Sequence, residues 1–414
     1  MVRMELGILG FELALLGLNK ITLILLNYTL SYYLSCLEMN FVDLTYHYLQ
    51  GMTDPETIVR LHQTNLLYLD HLPPGWRTRV IKFMEQDSRL HDGRSHFYFF
   101  TGKKGKTWIP KKTHQFLALA KPDVVLVHGL IFQLQVMALR RQLGKKVKIL
   151  VQHHGEQPFK GLRKILQRVA DRYIDGYLFT SEGNAAEWVR SGQIKSINKV
   201  YEVLPGTSDF KPLNKEESRR RCGMTGTPNF LWVGRLNTNK DPETVVKAFL
   251  EYTKVNPAAR LYMIYQTTEK LREIEALCVN QEAIKLIGQQ QHDELQHWYS
   301  AADYFITGSH RESCGYALLE AMACGCVPIV TQIPSFMKIT GNGKAGFNYA
   351  PGNVPQLVSL LSGLRSGNED PGREVLAHFE KELSLKAVGE RIGGIVQQFD
   401  VPYPSSKKPV PAYE

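Results

Sequence analysis

The chain has 414 residues, 43% of them hydrophobic, and a formal charge of +10 at neutral pH. That length and apolar content suffice for two α/β domains with full cores, and they exclude a disordered or fibrous chain. Its six cysteines, at 36, 222, 278, 314, 324 and 326, show no paired-zinc spacing; Cys324-Gly-Cys326 reads as small buried packing, and the set suits a reducing cytoplasm.

At the start, Leu6 to Leu18 and Ile21 to Leu37 are strongly apolar, but Glu12, Lys20 and Asn27 interrupt them. A spanning helix needs about 20 apolar residues without such breaks. A membrane-associated helix, a hairpin packed on the first domain and an extension ahead of a start at Met39 all fit; the last is favoured, with the fold taken to begin at Asn40-Phe-Val-Asp-Leu. From there strands are expected at 41–46, 80–84, 96–100, 123–128, 149–153 and 177–180, alternating with helical stretches, which implies a parallel sheet. Thr53-Asp-Pro-Glu56 reads as a capping box, and Leu49-Gln-Gly51 just before it as the first strand–helix loop facing the cleft.

Two strands end in His-Gly: Lys121 to Gly129, with His128, and Lys148 to Glu156, with His153, His154 and Gly155. Ligands of open α/β sheets bind at that carboxyl edge. A histidine there is as often structural as functional. Charge is uneven: residues 1–210 hold 27 Lys+Arg against 18 Asp+Glu, whereas 211–414 hold 23 against 22. Runs such as Lys103 to Lys106, Lys111-Lys112, Arg140-Arg141 and Lys145 to Lys148 suit an anionic membrane surface or a lipid diphosphate as well as they suit plain solvent. Nucleic acid is not expected as a partner, since no stacking-aromatic motif accompanies the charge.

In the second half, strands are expected at 230–233, 261–265, 284–287, 304–307 and 327–330. Asn229 to Thr244 reads as a strand, a loop opened by Gly234, and a helix capped by Asp241 with Pro242 in its first turn. The loop displays Arg235 and Lys240, a bidentate fork and a point charge that together can neutralise a diphosphate; elsewhere two such residues are usually just solvated. Arg311 to Val330 then sets Glu312 and Glu320 eight residues apart across the start of a helix that ends at Gly325. Eight helical residues rise about 12 Å, so the two carboxylates can contact different parts of one extended ligand. Glu320 lies among Ala317, Leu318, Leu319, Ala321 and Met322, too apolar a setting for an unpartnered carboxylate. The backbone N–H groups of Gly315, Tyr316 and Ala317 would point out of the helix start toward an anion. No Asp-x-Asp pair occurs in the chain to hold a divalent metal.

Gly234-Arg235 with Lys240, Ile287-Gly288, Glu294-Leu295, Tyr299, Ala302-Asp303, Glu312 through Gly325 and Pro328 resemble retaining glycosyltransferases of the GT-B fold, and family 4 (group 1) in particular. The resemblance implies two Rossmann-like doubly wound parallel-sheet domains facing a central cleft. An acceptor domain would cover 39–207 and a nucleotide-sugar domain 208–385, with a helix at 386–400 crossing back and a disordered Pro-rich tail at 401–414. The crossover at Val203 to Phe210 lacks the Asn that the family places before its Gly. By the same resemblance Arg235 and Lys240 bind the diphosphate, Glu312 holds hydroxyls of the donor sugar and Glu320 the ribose. The backbone at Ile287 and Gly288 reads the base, and His154, or His153 in the alternative register, lies near the sugar. The implied reaction moves a sugar, from a UDP-sugar by expectation, to a hydroxyl of a glycan or lipid-linked acceptor with retained configuration. It needs no cofactor or metal, and takes place in the cytoplasm or at the inner face of a membrane. A nucleotide-sugar epimerase, a glycogen- or sucrose-synthase-like activity and a non-enzymatic basic binding protein remain as alternatives.

Overall fold

A computed structural model of the chain describes residues 39–61, 66–92, 95–103, 105, 107–364 and 371–399. The apolar stretch 1–38 and the Pro-rich tail 401–414 lie outside the described residues. The first sheet is built from β1 (Asn40–Tyr48), β2 (Arg77–Met84), β3 (Ser88–Asp92), β4 (Ser95–Thr101), β5 (Val124–His128), β6 (Lys148–Gln152), β7 (Gly176–Phe179) and β8 (Val200–Glu202), in the order β3-β4-β2-β1-β5-β6-β7-β8. Near-continuous apolar runs such as Val124-Val-Leu-Val-His128, buried at every position, are what a sheet covered by helices on both faces requires. The second sheet comprises β9 (Asn229–Gly234), β10 (Arg260–Tyr265), β11 (Ile284–Gly288), β12 (Tyr304–Ile306), β13 (Val327–Thr331) and β14 (Phe347–Tyr349), ordered β11-β10-β9-β12-β13-β14. All its pairings are parallel.

Strand order reverses between β1 and β5 in one sheet and between β9 and β12 in the other. Crevices open beyond the carboxyl ends at such reversals. His128 ends β5, and the Arg235 and Ser309 loops follow β9 and β12, so the sequence candidates fall at both crevices.

Three strands escape the sequence pattern. β8 and β14 have only three residues each, too few to show a period, and β3 is a mostly exposed edge strand. It pairs antiparallel with β4 at the edge of an otherwise parallel sheet. The capping box at Thr53 also gives way: Asp54 caps instead, accepting from the N–H of Thr57 at 2.9 Å, with Pro55 opening the helix Pro55–Leu61. The apolar spacing from Val375 to Ile395 belongs to two helices. Pro371–His378 runs into a π turn at Phe379–Leu383, and Ser384, accepting from Ala387 N at 3.3 Å, caps a new helix at Leu385–Gln398. That helix lies on the His71–Pro73 segment of the first half. A Cβ on Gly389 would sit 2.6 Å from the His71 carbonyl, and one on Gly393 2.6 Å from the Pro73 ring, so only glycine permits this approach.

Candidate functional site

The loop after β9 is fixed by its own polar side chains. Asn237 Oδ1 accepts from Lys240 N at 3.0 Å, and Asp241, at φ +40°, caps the helix Pro242–Thr253 through Thr244. The segment after β12 staples it from the side: His310 N donates to the Asn239 carbonyl at 2.8 Å, and Asn239 Nδ2 to the Arg311 carbonyl at 3.0 Å. Gly308 makes this nesting possible, since a Cβ there would lie 2.5 Å from the Asp241 carbonyl. The result sets the Lys240 ammonium on the Glu312 carboxylate, both largely buried, while the exposed Arg235 has no carboxylate partner among the described residues.

Gly315 enters the helix Tyr316–Ala323 in the left-handed region at φ +71°, where a Cβ would stand 2.6 Å from the Phe336 ring. One turn further in, Glu320 is 9% exposed and accepts from Tyr299 Oη and His292 Nε2, each at 2.9 Å. These pairs supply the partners that a buried carboxylate requires. The Glu312 carbonyl accepts from Ser335 Oγ at 2.6 Å and, across from the first half, from Asn184 Nδ2 at 3.2 Å. A cavity of about 500 Å³ lies between these elements, lined by Gly234, Arg235, Lys240, Glu312, Gly315, Tyr316, Ala317 and Glu320.

Ile287 and Gly288 do not line it, contrary to the sequence expectation. Gly288 ends β11 at φ +80°, and Gln290 and His292 just after it line the cavity. The Glu320 hydrogen bond raises the His292 pKa above the ordinary 6.5, against a smaller opposing effect of burial. A group raised on folding stabilises fully below its unfolded value and loses that contribution as pH rises through the folded one. Unfolding free energy should therefore decline as pH climbs above about 6.5, modestly because the side chain is 57% exposed. His292→Gln should remove that dependence in urea titrations run on either side of the window.

A second cavity, of about 600 Å³, is lined from the first half by His153, His154, Gly155 and Glu156 and from the second by Arg311, Glu312 and Ser313. Asn239, Glu312 and Ser313 border both cavities, so the two adjoin at Glu312. Gly155 lets the halves approach: a Cβ there would be 3.2 Å from that of Ser313. The neighbouring histidines part ways. His153 stacks on Phe179 at 4.4 Å and bonds the Glu156 carbonyl through Nε2 at 2.9 Å, whereas His154 opens to the cleft.

Behind His154 runs a buried chain. His154 Nε2 meets His128 Nδ1 at 2.9 Å, His128 Nε2 meets Asp43 Oδ2 at 2.7 Å, and Tyr68 Oη donates to the same oxygen at 2.7 Å. Burial alone would raise the Asp43 pKa, but His128 and Lys82 outweigh it and hold the carboxyl below its usual range. Ionised Asp43 can only accept, so His128 Nε2 donates; in the form of His128 that carries no proton on Nδ1, that atom accepts from His154 Nε2 and leaves His154 Nδ1 as an open acceptor. Burial of the ring, then His128 and His153, push the His154 pKa down, which keeps it neutral even though the outer edge of the residue reaches solvent.

Gly51 is not among the residues lining these two cavities; its N–H donates to Glu85 Oε1 at 2.8 Å, pinning the turn to the end of β2. Sequence reasoning missed Asp43 and His292. The signal for the first was an acid in the middle of an apolar strand; His292, in a polar run after β11, gave none. The five described cysteines are free and at least partly buried, with burial pushing the Cys324 thiol up to about 12 and that of Cys222 to about 11.

Residues 214–373 match the family model described as "Glycosyl transferases group 1". The chain is 28% identical over 213 residues to a D-inositol 3-phosphate glycosyltransferase of Pseudarthrobacter chlorophenolicus, covering 49% of this chain and 50% of that protein. To the sulfoquinovosyl transferase SQD2 of Arabidopsis thaliana it is 28% identical over 238 residues, 56% of this chain and 44% of that one. It thus spans about half the length of these curated relatives. Among solved structures, HepE of Anabaena in complex with UDP and glucose superposes with a TM-score of 0.63 at 12% identity, covering 87% of this chain and all (100%) of that one. With two parallel-sheet α/β halves meeting at a cleft, the chain has the GT-B fold, and its residues 214–373 carry the match to the group 1 glycosyltransferases.

Proposed function

We propose that the chain transfers a sugar from a nucleoside-diphosphate sugar, a UDP-sugar by preference, to a hydroxyl of a glycan or glycolipid acceptor of the cell-surface polysaccharide type, with retention of anomeric configuration. The observation that carries this reading is the junction of the two cavities at Glu312, with Lys240 on that carboxylate. In this reading the nucleoside diphosphate fills the 500 Å³ cavity. Arg235, Lys240 and the Gly315–Ala317 helix start take the diphosphate, Glu320 the ribose and Glu312 the sugar hydroxyls. The sugar then points toward His154, and the acceptor enters the adjoining cavity.

Arg235, Lys240 and the helix dipole are aimed where negative charge grows as the sugar–phosphate bond breaks. The departing phosphate oxygen can itself take the acceptor's proton on the same face, which places the new bond on the side the old one left. In this reading the two cations do the work of a divalent metal, and activity survives EDTA. The likeness to a protein solved with UDP and glucose supports the choice of donor class. A thermal-shift screen of nucleotide sugars, followed by NMR of the first-formed glycoside, tests the reading; an inverted product, or turnover that EDTA abolishes and manganese restores, contradicts it.

Asp43 enters this scheme as a positioning residue, fixing His154 as a hydrogen-bond acceptor. Asn at position 43 can either accept or donate, so it releases the tautomer. Asp43→Asn should lower kcat/KM by about tenfold or more, and nitrogen-15 NMR should show His154 Nδ1, unprotonated in the parent, becoming partly protonated. An unchanged spectrum would mean that Asp43 does not set the tautomer.

A further inference from the structure

The helix Gly161–Ala170 is mounted with an apolar stripe facing outward. Its inner face is closed by Gln167 and Ala170, with Gln167 Nε2 donating to Tyr177 Oη at 3.1 Å. On the other side Leu162 is 85% exposed, Ile165 57% and Val169 38%. At 100° per residue these three fall within about 60° of arc. Single exposed aliphatics are ordinary, but a helix normally turns such a stripe into the core.

The flanks of the stripe are cationic. Residues 160–172 contain Lys160, Arg163, Lys164, Arg168 and Arg172 against Asp171, which is buried and occupied by Tyr177 and Lys199. One of these cations is held beside the stripe, Arg168, which donates to the Ser191 carbonyl at 2.8 Å, whereas Arg163 turns inward over the Phe159 ring at 4.3 Å. Apolar side chains that can enter an acyl boundary, rimmed by long cationic side chains that can reach headgroups, are the recognition chemistry of an anionic lipid surface. A complementary protein groove would have to supply acids around a narrow apolar slot. Among the described residues no helix is long and apolar enough to cross a membrane, so the contact would be peripheral.

Position ties this face to the cleft. Gln157 and Pro158, which line the cavity shared by the two halves, stand just ahead of the helix that begins at Gly161. We propose that the Leu162–Ile165–Val169 face seats on an anionic lipid surface and presents the His154 side of the cleft to a lipid-linked acceptor. The surface contact stands on the helix alone; its link to an acceptor rests on the function proposed above.

The full chain should co-sediment with phosphatidylcholine vesicles containing phosphatidylglycerol, lose that binding at high salt, and ignore pure phosphatidylcholine. The Leu162→Glu/Ile165→Glu variant and the Lys160→Glu/Arg172→Glu variant should each bind at least about tenfold more weakly, while UDP shifts their thermal unfolding as it does the parent's. Variants that pellet like the parent, or a parent that binds both vesicle types equally, would overturn the proposal. So would self-association of the parent without vesicles that Leu162→Glu abolishes, since the stripe would then belong to a second copy. A chain that binds anionic vesicles through this helix but is untouched by any nucleoside diphosphate upholds the surface and sinks the donor reading instead.

Discussion

Lys240→Ala should lose about one to two orders of magnitude in kcat/KM, because each charge-assisted hydrogen bond to a phosphate is worth about 1.5–3 kcal/mol. The loss should fall on turnover as well as donor affinity, since the bond strengthens as the diphosphate departs. The ammonium sits on Glu312, so its removal also strands a carboxylate whose side chain is only 14% exposed. Thermal unfolding of Lys240→Ala beside Lys240→Ala/Glu312→Gln separates that effect from catalysis: the second change should restore stability without restoring rate. Arg235→Lys keeps the charge but loses the planar fork, and should be costly in donor KM. Parental activity in Lys240→Ala would mean that this loop does not hold the diphosphate.

Glu320 should show a different signature. Its carboxylate is the acceptor for the Tyr299 hydroxyl, which is fully buried. Glu320→Ala therefore leaves that hydroxyl without a partner, at about 1–3 kcal/mol of stability, and also removes the carboxylate proposed to hold the ribose. Glu320→Gln keeps an amide oxygen for Tyr299 and should fold nearly as well, while donor affinity still drops by roughly tenfold or more, because a neutral acceptor replaces a charged one. Urea midpoints and UDP titrations of the two variants read these effects separately. If Glu320→Gln bound UDP as tightly as the parent, the ribose would have to lie elsewhere.

What the sequence disclosed follows from the range of its signals. Gly234 to Asp241 and Glu312 to Gly325 are short-range patterns, a glycine loop into a capped helix and a carboxylate pair at helical spacing, and the chain folds each locally as its residues dictate. Contacts made across the fold left weaker marks. Asp43 meets His128 only because β1 and β5 are neighbours, with Thr45 opposite His128. His292 reaches Glu320 from a polar loop with no period. Gly288 stops one residue short of the loop whose Gln290 and His292 line the cavity, a distinction that no local pattern marks. In the Gly161–Ala170 helix the amphipathic spacing was present, but periodicity cannot say which side faces the core, and here the apolar side faces out.

In the proposed function the cavity bordered by Arg235, Lys240 and Glu320 takes a nucleoside diphosphate without help from a divalent ion. Calorimetric titration of UDP into the parent chain and into Lys240→Ala, both in EDTA, measures this directly. The account predicts saturable binding by the parent that weakens at least about tenfold in the variant. Equal binding by both proteins, or parental binding that appears only when manganese is added, would contradict it.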